Sequence, residues 1–170
     1  MLETIKKSGR PLVVSFSGGK DSTAMCIYLL ANNVKETNPI YWIFADTGWE
    51  HPSVYEYVEF INKTLLDGKL HKVSNPRFPN GMEDLVKYRK RFPASNARFC
   101  TNDLKLEPIR DFLRSIKAKY DLKDEPLKPV NVVGIRAEES HARSQLLEWE
   151  SGTNLEKSEK RRKSWDTWRP

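Results

Sequence analysis

The feature that most constrains the fold is an apolar run that breaks at two glycines and resumes as a helical pattern. Residues 11–16 are apolar and rich in β-branched side chains, which predicts a buried strand. Gly18 and Gly19 interrupt the run, and apolar residues then recur at helical spacing across residues 21–33. A buried strand that turns through glycines directly into a helix is typical of an α/β fold.

Strands and helices continue to alternate along the chain. Apolar runs predict strands at 40–45 and 130–135, and a weaker pattern predicts one at 70–74. Helical patterns are predicted in three further segments: 52–61, 81–91 and 104–120, with a loop over 93–103. The alternation predicts an α/β fold with a doubly wound, mainly parallel sheet of about five strands and helices on both faces.

The composition divides the chain near residue 148. Residues 1–147 hold every predicted strand and helix, and a chain of 170 residues is long enough for one such domain. Residues 148–170 form a basic segment that contains Trp165 and Trp168. Together with a net charge of +6, this segment suggests a nucleic-acid tail, while a solvated terminal helix is the alternative.

The cysteine content and hydropathy predict a cytoplasmic protein. Two cysteines are too few for a disulfide framework or a four-cysteine metal site. No apolar run approaches the roughly 18 residues of a spanning helix, so we expect no membrane association. Cys26 lies in an apolar helical pattern and is predicted in the core, whereas Cys100 is either a reactive or a structural thiol.

The glycine turn has the chemistry of an anion site. Adjacent glycines let the backbone approach an anion closely, and the N–H groups that begin the next helix point towards it. Ser15, Ser17 and Ser22 offer hydroxyl groups, and Lys20 adds a positive charge. Asp21 would repel a phosphate unless it holds Mg²⁺ or caps the helix.

Two other predicted strands end in polar or glycine-bearing segments, residues 46–48 and 134–136. In open parallel sheets, ligands bind beside the carboxyl ends of the strands. We therefore expect these two segments and the glycine turn to form one site at a single edge of the sheet.

The turn Ser17–Ser22 resembles the PP-loop, Ser-Gly-Gly-x-Asp-Ser, of the ATP pyrophosphatases, and it lacks the Walker A spacing. Other segments resemble signatures of the phosphoadenosine phosphosulfate (PAPS) reductase-like branch of that superfamily. These are 44–48 with Pro52 and Tyr55, 98–101 with Lys105 and Pro108, and 134–140 with Arg143. The resemblance spans about residues 11–145 and implies a Rossmann-like fold of the adenine nucleotide alpha-hydrolase type.

This resemblance implies roles for single residues. Lys20, Asp21, Arg136 and Arg143 would be catalytic, with Asp21 also the ligand of Mg²⁺. Phe44 and Asp46 would hold the adenine or ribose of ATP, although Asp46 could instead only cap a helix. The implied nucleotide-binding set is completed by Ser15, Ser17, Gly18, Gly19, Lys20, Asp21, Ser22, Lys105, Gly134 and Arg136. The alternative for both arginines is an ordinary surface charge.

The resemblance further implies cleavage of ATP between its α- and β-phosphates. An acceptor, either sulfate, a nucleic-acid base or a small acid, would be adenylylated and pyrophosphate released. PAPS reductases act through a Glu-Cys-Gly-x-His motif, and no cysteine follows Cys100 here. A sulfonucleotide-binding protein of the PAPS or APS reductase type, or a non-catalytic nucleotide-binding subunit of a larger assembly, is the alternative. We expect a homo-oligomer or a partner subunit.

Overall fold

The computed structural model describes residues 1–94, 97–121, 127–135, 144–152 and 165–170. Its six strands are β1 (Leu12–Ser15), β2 (Ile40–Ala45), β3 (Leu70–Val73), β4 (Val130–Val133), β5 (Trp149–Glu150) and β6 (Asp166–Trp168). They form one sheet in the order β3-β2-β1-β4-β6-β5. Every neighbouring pair is parallel except β5 and β6. The predicted α/β fold with a mainly parallel sheet is confirmed.

The helices are α1 (Leu2–Ser8), α2 (Lys20–Ala31), α3 (Val34–Thr37), α4 (Pro52–Thr64), α5 (Met82–Arg89) and α6 (Glu107–Asp121). Pro52 is the first residue of α4, a position that suits proline because its fixed φ matches the start of a helix. His51 caps this helix by accepting from the Ser53 N–H at 3.3 Å. The predicted loop over 93–103 is wrong at its end, since residues 99 and 100 are helical and Thr101–Leu106 forms a π-helix.

The two faces of the sheet carry separate cores, because alternate strand residues point to opposite sides. Leu12 and Val14 pack with residues of α2 and α4, such as Met25. Val13 and Ile43 point to the other face and pack with α6. Helices therefore cover both faces, as the sequence predicts.

The basic segment supplies two strands that the sequence patterns did not predict. Trp168 in β6 is 1% exposed and packs in the core with Leu12, while Trp165 is buried on the opposite face. The Asp166 carboxylate accepts from Arg10 Nη2 at 2.7 Å and from Lys128 Nζ at 2.6 Å. Neither tryptophan lies in a solvated helix or is available to stack on a base. The basic run over 157–163 lies outside the described residues.

Candidate functional site

The carboxyl ends of β1, β2 and β4 meet at one edge of the sheet, hereafter the rim. Ser15 at the end of β1 pairs with Ile43 on β2 and with Val133 on β4. From β1 the chain passes to β2 and β3 on one side, and β4 then joins on the other side. The strand order thus reverses beside β1, which is where open α/β sheets bind their ligands.

The β1–α2 turn is shaped by hydrogen bonds within it. The Ser17 N–H donates to Ser22 Oγ at 3.1 Å, and Ser22 Oγ donates to the Gly19 carbonyl at 2.9 Å. Gly18 has φ +76°, and a Cβ there would stand 3.0 Å from Val58 Cγ2 on α4. Because Gly18 combines a left-handed backbone with this close approach, the turn requires glycine there. Ser22 is buried and holds the turn, while Ser17 and Gly19 are exposed at the rim.

The turn leads straight into the amino end of α2. The first N–H groups of a helix have no intrahelical acceptor, and the N-cap Gly19 has no side chain to accept from them. Lys20 is exposed, and Asp21 is half-buried in the same first turn. Partial positive charge at the helix end and the ammonium group of Lys20 together favour an anion at this position.

Ser15 and Asn131 carry buried polar atoms beneath the rim. Ser15 Oγ and Asn131 Oδ1 have no hydrogen-bond partner within the described ranges. Ser15 lies on the same sheet face as Val13, whose register partner on β4 is Asn131. A buried polar group without a hydrogen bond lowers the stability of the fold. Polar groups of a ligand can supply the missing partners on this face of the rim.

Asp46 organises the turn after β2. Its Oδ1 accepts from the Gly48 N–H at 2.9 Å and from the Tyr55 hydroxyl at 2.8 Å. Burial and this hydrogen bond to Asp46 raise the pKa of Tyr55. Asp46 does not cap α4, since His51 does so. Phe44 is 2% exposed and meets the Tyr55 ring edge-on at 6.3 Å, so its side chain supports the rim from within the core.

Lys105 reaches the rim through an acidic residue that the sequence patterns did not single out. Its ammonium group lies 3.4 Å from Glu50 Oε1, and the Thr47 hydroxyl donates to the same oxygen at 3.0 Å. The contact joins the π-helix to the turn after β2. Lys105 is therefore brought to the predicted edge of the sheet, held partly by Glu50.

Gly134 completes the rim at the end of β4. A Cβ at this position would stand 3.1 Å from the Asp21 carbonyl oxygen, so β4 and α2 approach each other backbone to backbone. The structure therefore brings together the turn at 17–22, Asp46 and Gly134, as expected. Arg136 and Arg143 lie outside the described residues.

A buried polar cluster beside the turn after β3 was missed by sequence reasoning. Asn75 Nδ2 donates to the Asp103 carbonyl at 2.7 Å, and the Asp103 carboxylate accepts from Arg89 Nη2 at 2.7 Å. Although burial alone would raise it, the pKa of Asp103 is lowered by its bonds to Arg89 and Asn102. These contacts tie the π-helix to α5 and to the turn after β3. No local pattern signals the bonds of Asp103 to Asn75 and Arg89, because these residues lie far from Asp103 in sequence.

The two cysteines differ in environment. Cys26 is fully buried in the core, as predicted, and burial raises its pKa to about 12. Cys100 is half-buried and packs against a small apolar cluster that contains Phe78 and Leu104. Cys100 therefore adds apolar contact to this cluster.

The carboxylate available at the rim suits a metal ion that binds together with the phosphates of a nucleotide. Across the described residues, no three His, Cys, Asp or Glu side chains form a metal-binding group. Mg²⁺ in nucleotide sites usually takes one or two carboxylates, with phosphate oxygens and water completing its shell. Asp21, in the first turn of α2 beside the glycine turn, fits that requirement.

The family model of the phosphoadenosine phosphosulfate reductase domain matches residues 11–160. The chain belongs to this family. The match covers the whole rim, from β1 to the residues that follow β4. Nucleotide binding by this PAPS reductase-family domain is supported at the level of the family. Within the described ranges, this domain has no helix with both the length and the apolar character to cross a membrane.

Its relatives include phage and archaeal proteins. An uncharacterized 37.8 kDa protein of Escherichia phage 186 is 30% identical over 81% of this chain and 51% of its own length. An uncharacterized protein of Methanocaldococcus jannaschii is 33% identical over 83% of this chain and 26% of its own. An uncharacterized nin region protein of Escherichia phage lambda is 29% identical over 59% of this chain and 41% of its own length. The chain thus spans about half or less of the curated relatives it matches.

Proposed function

We propose that this PAPS reductase-family domain binds ATP at the rim and cleaves it between the α- and β-phosphates. An oxygen of the acceptor attacks the α-phosphorus and forms a new O–P bond. The bond from the α-phosphorus to the bridging oxygen breaks, and pyrophosphate leaves with that oxygen. The acceptor is adenylylated, with sulfate, a nucleic-acid base and a small acid as the candidate classes.

The observation that carries this proposal is the β1–α2 turn at the switch point. The turn presents Ser17, Gly19 and Lys20 beside a helix start whose N–H groups lack intrahelical acceptors. Such an end favours phosphate through both hydrogen bonding and the helix dipole. Gly134 closes the opposite side of this turn, which fixes its position relative to β4.

The residues of the rim have distinct roles in this proposal. Lys20 offsets charge that develops on the phosphates, and Asp46, held by Tyr55, meets the nucleoside part of ATP. Asp21 would hold Mg²⁺, which supplies charge neutralisation on the phosphates when bound. By the resemblance, Arg136 and Arg143 clamp the outer phosphates, since a guanidinium group suits bidentate contacts.

Product analysis with labelled ATP tests the proposal. The protein is incubated with Mg²⁺, ATP labelled at the α- or γ-phosphate, and sulfate, RNA, DNA or a small acid in turn. We expect AMP or an adenylylated acceptor together with pyrophosphate. Release of ADP and inorganic phosphate would place cleavage at the wrong bond and contradict the proposal.

A matched pair of lysine variants distinguishes a specific role of Lys20 in the site from the general effect of removing a positive charge. Lys20→Ala should lower kcat/KM about a hundredfold, as removal of a charge-stabilising donor does elsewhere. Lys63→Ala removes an exposed lysine of α4, paired at 3.6 Å with Glu59, and should leave kcat/KM unchanged. An equal effect of both substitutions would argue against a role for Lys20 in phosphate binding.

Sulfonucleotide binding is the second candidate, and the family match favours it. Competition calorimetry distinguishes the two ligands. If PAPS or APS displaces a non-hydrolysable ATP analogue at much lower concentration than ATP does, the sulfonucleotide is the ligand. A domain that binds ATP tightly but leaves it intact with every acceptor would instead be a non-catalytic subunit, consistent with the greater length of its relatives.

A further inference from the structure

Arginine and aromatic side chains alternate over α5 and the segments beside it. Cation–π contacts connect five of these residues, Arg77, Tyr88, Arg89, Arg91 and Phe99. Together with the exposed Phe92, which follows Arg91 in the chain, we call them the Arg–aromatic surface. The guanidinium carbon of Arg77 lies 5.9 Å from the centre of the Tyr88 ring, and that of Arg89 lies 5.6 Å from the same ring. Arg91 lies 5.5 Å from the Phe99 ring. Cation–π attraction therefore holds the cations and rings together.

Two rings of this surface face solvent. Tyr88 is 61% exposed and Phe92 is 68% exposed, whereas Phe99 is partly buried against Leu104. The two exposed rings stand close together in sequence among arginine residues, which is the combination of aromatic and basic groups that binds single-stranded nucleic acid. Arg77, Arg89 and Phe78 contact the Tyr88 ring. The remaining exposed part of that ring and the Phe92 ring are accessible to a flat ligand.

The same surface is positively charged. Arg77 and Arg91 make no ion pair with the described residues, and Lys90 adds a further exposed cation between Arg89 and Arg91. Arg89 is anchored from below, because its guanidinium bonds to the buried Asp103 carboxylate at 2.7 Å. Of the two acidic residues of α5, Glu83 pairs with Lys87, and Asp84 accepts hydrogen bonds from Asn80. An anionic partner is therefore complementary to this surface.

We infer that the Arg–aromatic surface binds single-stranded nucleic acid. Guanidinium groups contact the phosphates while unstacked bases lie on Tyr88 and Phe92, the combination that single-strand-binding proteins use. A duplex would leave the rings unused because its bases are stacked on one another. An acidic peptide has the charge but lacks flat rings. The inference stands apart from the proposed ATP site, since it uses none of its residues.

The proposed nucleic-acid surface lies elsewhere in the chain than the nucleic-acid tail that the sequence patterns suggested. Basic and tryptophan residues of 148–170 pointed to a nucleic-acid tail, yet Trp165 and Trp168 are buried. The exposed aromatic residues among basic ones lie instead at α5, where cation–π contacts have already ordered the side chains.

Fluorescence anisotropy with the full chain and a labelled oligo(dT) of about 15 nucleotides tests this inference. Tyr88→Ala and Arg77→Gln should each weaken binding roughly tenfold. Arg77→Gln should also lower the slope of log affinity against log salt by about one, because one phosphate contact is lost. Tyr88→Ala should leave that slope unchanged, as expected for a stacking contact.

Two control variants match these substitutions in exposure. Phe60→Ala removes a ring on α4 that is 59% exposed, and Arg114→Gln removes a cation on α6 whose side chain is 62% exposed. Neither should change the affinity. Thermal unfolding checks that every variant is folded, and Phe92→Ala replaces Tyr88→Ala if the latter is not.

Several results would overturn the inference. No binding at about 50 mM salt, or losses with the controls equal to those with Tyr88→Ala, would remove the surface as a binding site. Binding of a duplex as tightly as the single strand would exclude stacking. Equal competition by polyglutamate would reduce the contact to charge alone. Inactivity towards ATP would leave the inference untouched, so the two proposals fail independently.

Discussion

Gly134 at the end of β4 and Asp21 in the first turn of α2 contact each other through their backbones. A Cβ at Gly134 would stand 3.1 Å from the Asp21 carbonyl oxygen and 3.3 Å from the Ser22 nitrogen. The gap admits hydrogen but not carbon without movement. The position of the proposed phosphate-binding helix end is thus fixed by a residue more than a hundred positions away in the chain.

Gly134→Ala should therefore disturb ligand binding more than stability. The added methyl group must displace the first turn of α2 by a few tenths of an ångström. We expect about tenfold weaker binding of MgATP, because small misplacement of binding groups is costly, and a loss of about 1 kcal/mol in the free energy of unfolding. Calorimetry and urea unfolding measure the two effects. Unchanged affinity would show that this contact does not position the site.

Gly81→Ala should unfold the region that joins the rim to α5. Gly81 has φ +60°, and a Cβ there would stand 2.0 Å from the Thr47 carbonyl oxygen. The same oxygen accepts from the Met82 N–H at 2.8 Å, so that bond would be lost as well. We expect a loss of about 3 kcal/mol or more in urea unfolding.

Gly68→Ala is the control for this substitution. Gly68 has φ +71°, but no atom lies within 4 Å of an added Cβ. Its cost should be limited to the left-handed backbone, about 1–2 kcal/mol. Equal losses for the two variants would mean that crowding by Thr47 contributes nothing.

Asp166 should make stability depend on pH in the acid range. Burial alone would raise its pKa, but bonds from Lys128, the Gly152 N–H and Arg10 outweigh burial and lower it. A lowered folded-state pKa means that the stabilisation is complete above about pH 4 and is lost as pH falls through the folded-state value. Asp166→Asn should cost about 2–3 kcal/mol at neutral pH, and this difference should shrink towards pH 3.

Urea unfolding of both proteins across this pH range tests the Asp166 prediction. Asp111→Asn serves as the control, because its side chain is 65% exposed and its ion pair with Arg114 lies on the surface. That variant should change the free energy of unfolding by less than about 0.5 kcal/mol. A constant cost of Asp166→Asn at all pH values would contradict the charge-based explanation.

The two thiols should differ strongly in reactivity. Burial raises the pKa of Cys26 to about 12, so its thiol stays protonated at pH 8, and the side chain is fully buried. Cys100 is half-buried, so a thiol reagent such as DTNB should modify it first, with Cys26 reacting only on unfolding. Cys100→Ser should abolish the fast phase and Cys26→Ser should retain it. Two equal phases in the native protein would be inconsistent with this structure.

The parts of the fold that depend on local patterns were predictable from sequence. β1, the glycine turn and α2 are contiguous, so their periodicity and turn residues suffice. The strands Trp149–Glu150 and Asp166–Trp168 were missed, because they have two and three residues and no apolar run. Their stability comes from burial of Trp168 and from the bonds of Asp166 to Arg10, which no local pattern contains.

In the candidate site, too, local features were predictable from sequence and contacts between distant segments were not. The turn at 17–22 was found because its chemistry is local. The placement of Asp46 and Gly134 at the same edge of the sheet follows because β2 and β4 both run parallel to β1. The Glu50 contact of Lys105 and the Asn75–Asp103 bond join distant segments, so spacing could not predict them. The helical start at residue 99 was missed because Thr101, Asn102 and Asp103 are weak helix formers, held here by tertiary hydrogen bonds.

The place of β6 inside the sheet has a consequence for biosynthesis. Because β6 lies between β4 and β5, the open hydrogen-bonding edge of β4 is covered only after the ribosome has translated the chain as far as Trp168. Until then a nascent chain exposes a strand edge that can pair with other chains. The earlier strands can pair before β6 is made, but β4 keeps an open edge until β6 joins it, so premature termination before residue 166 would favour aggregation.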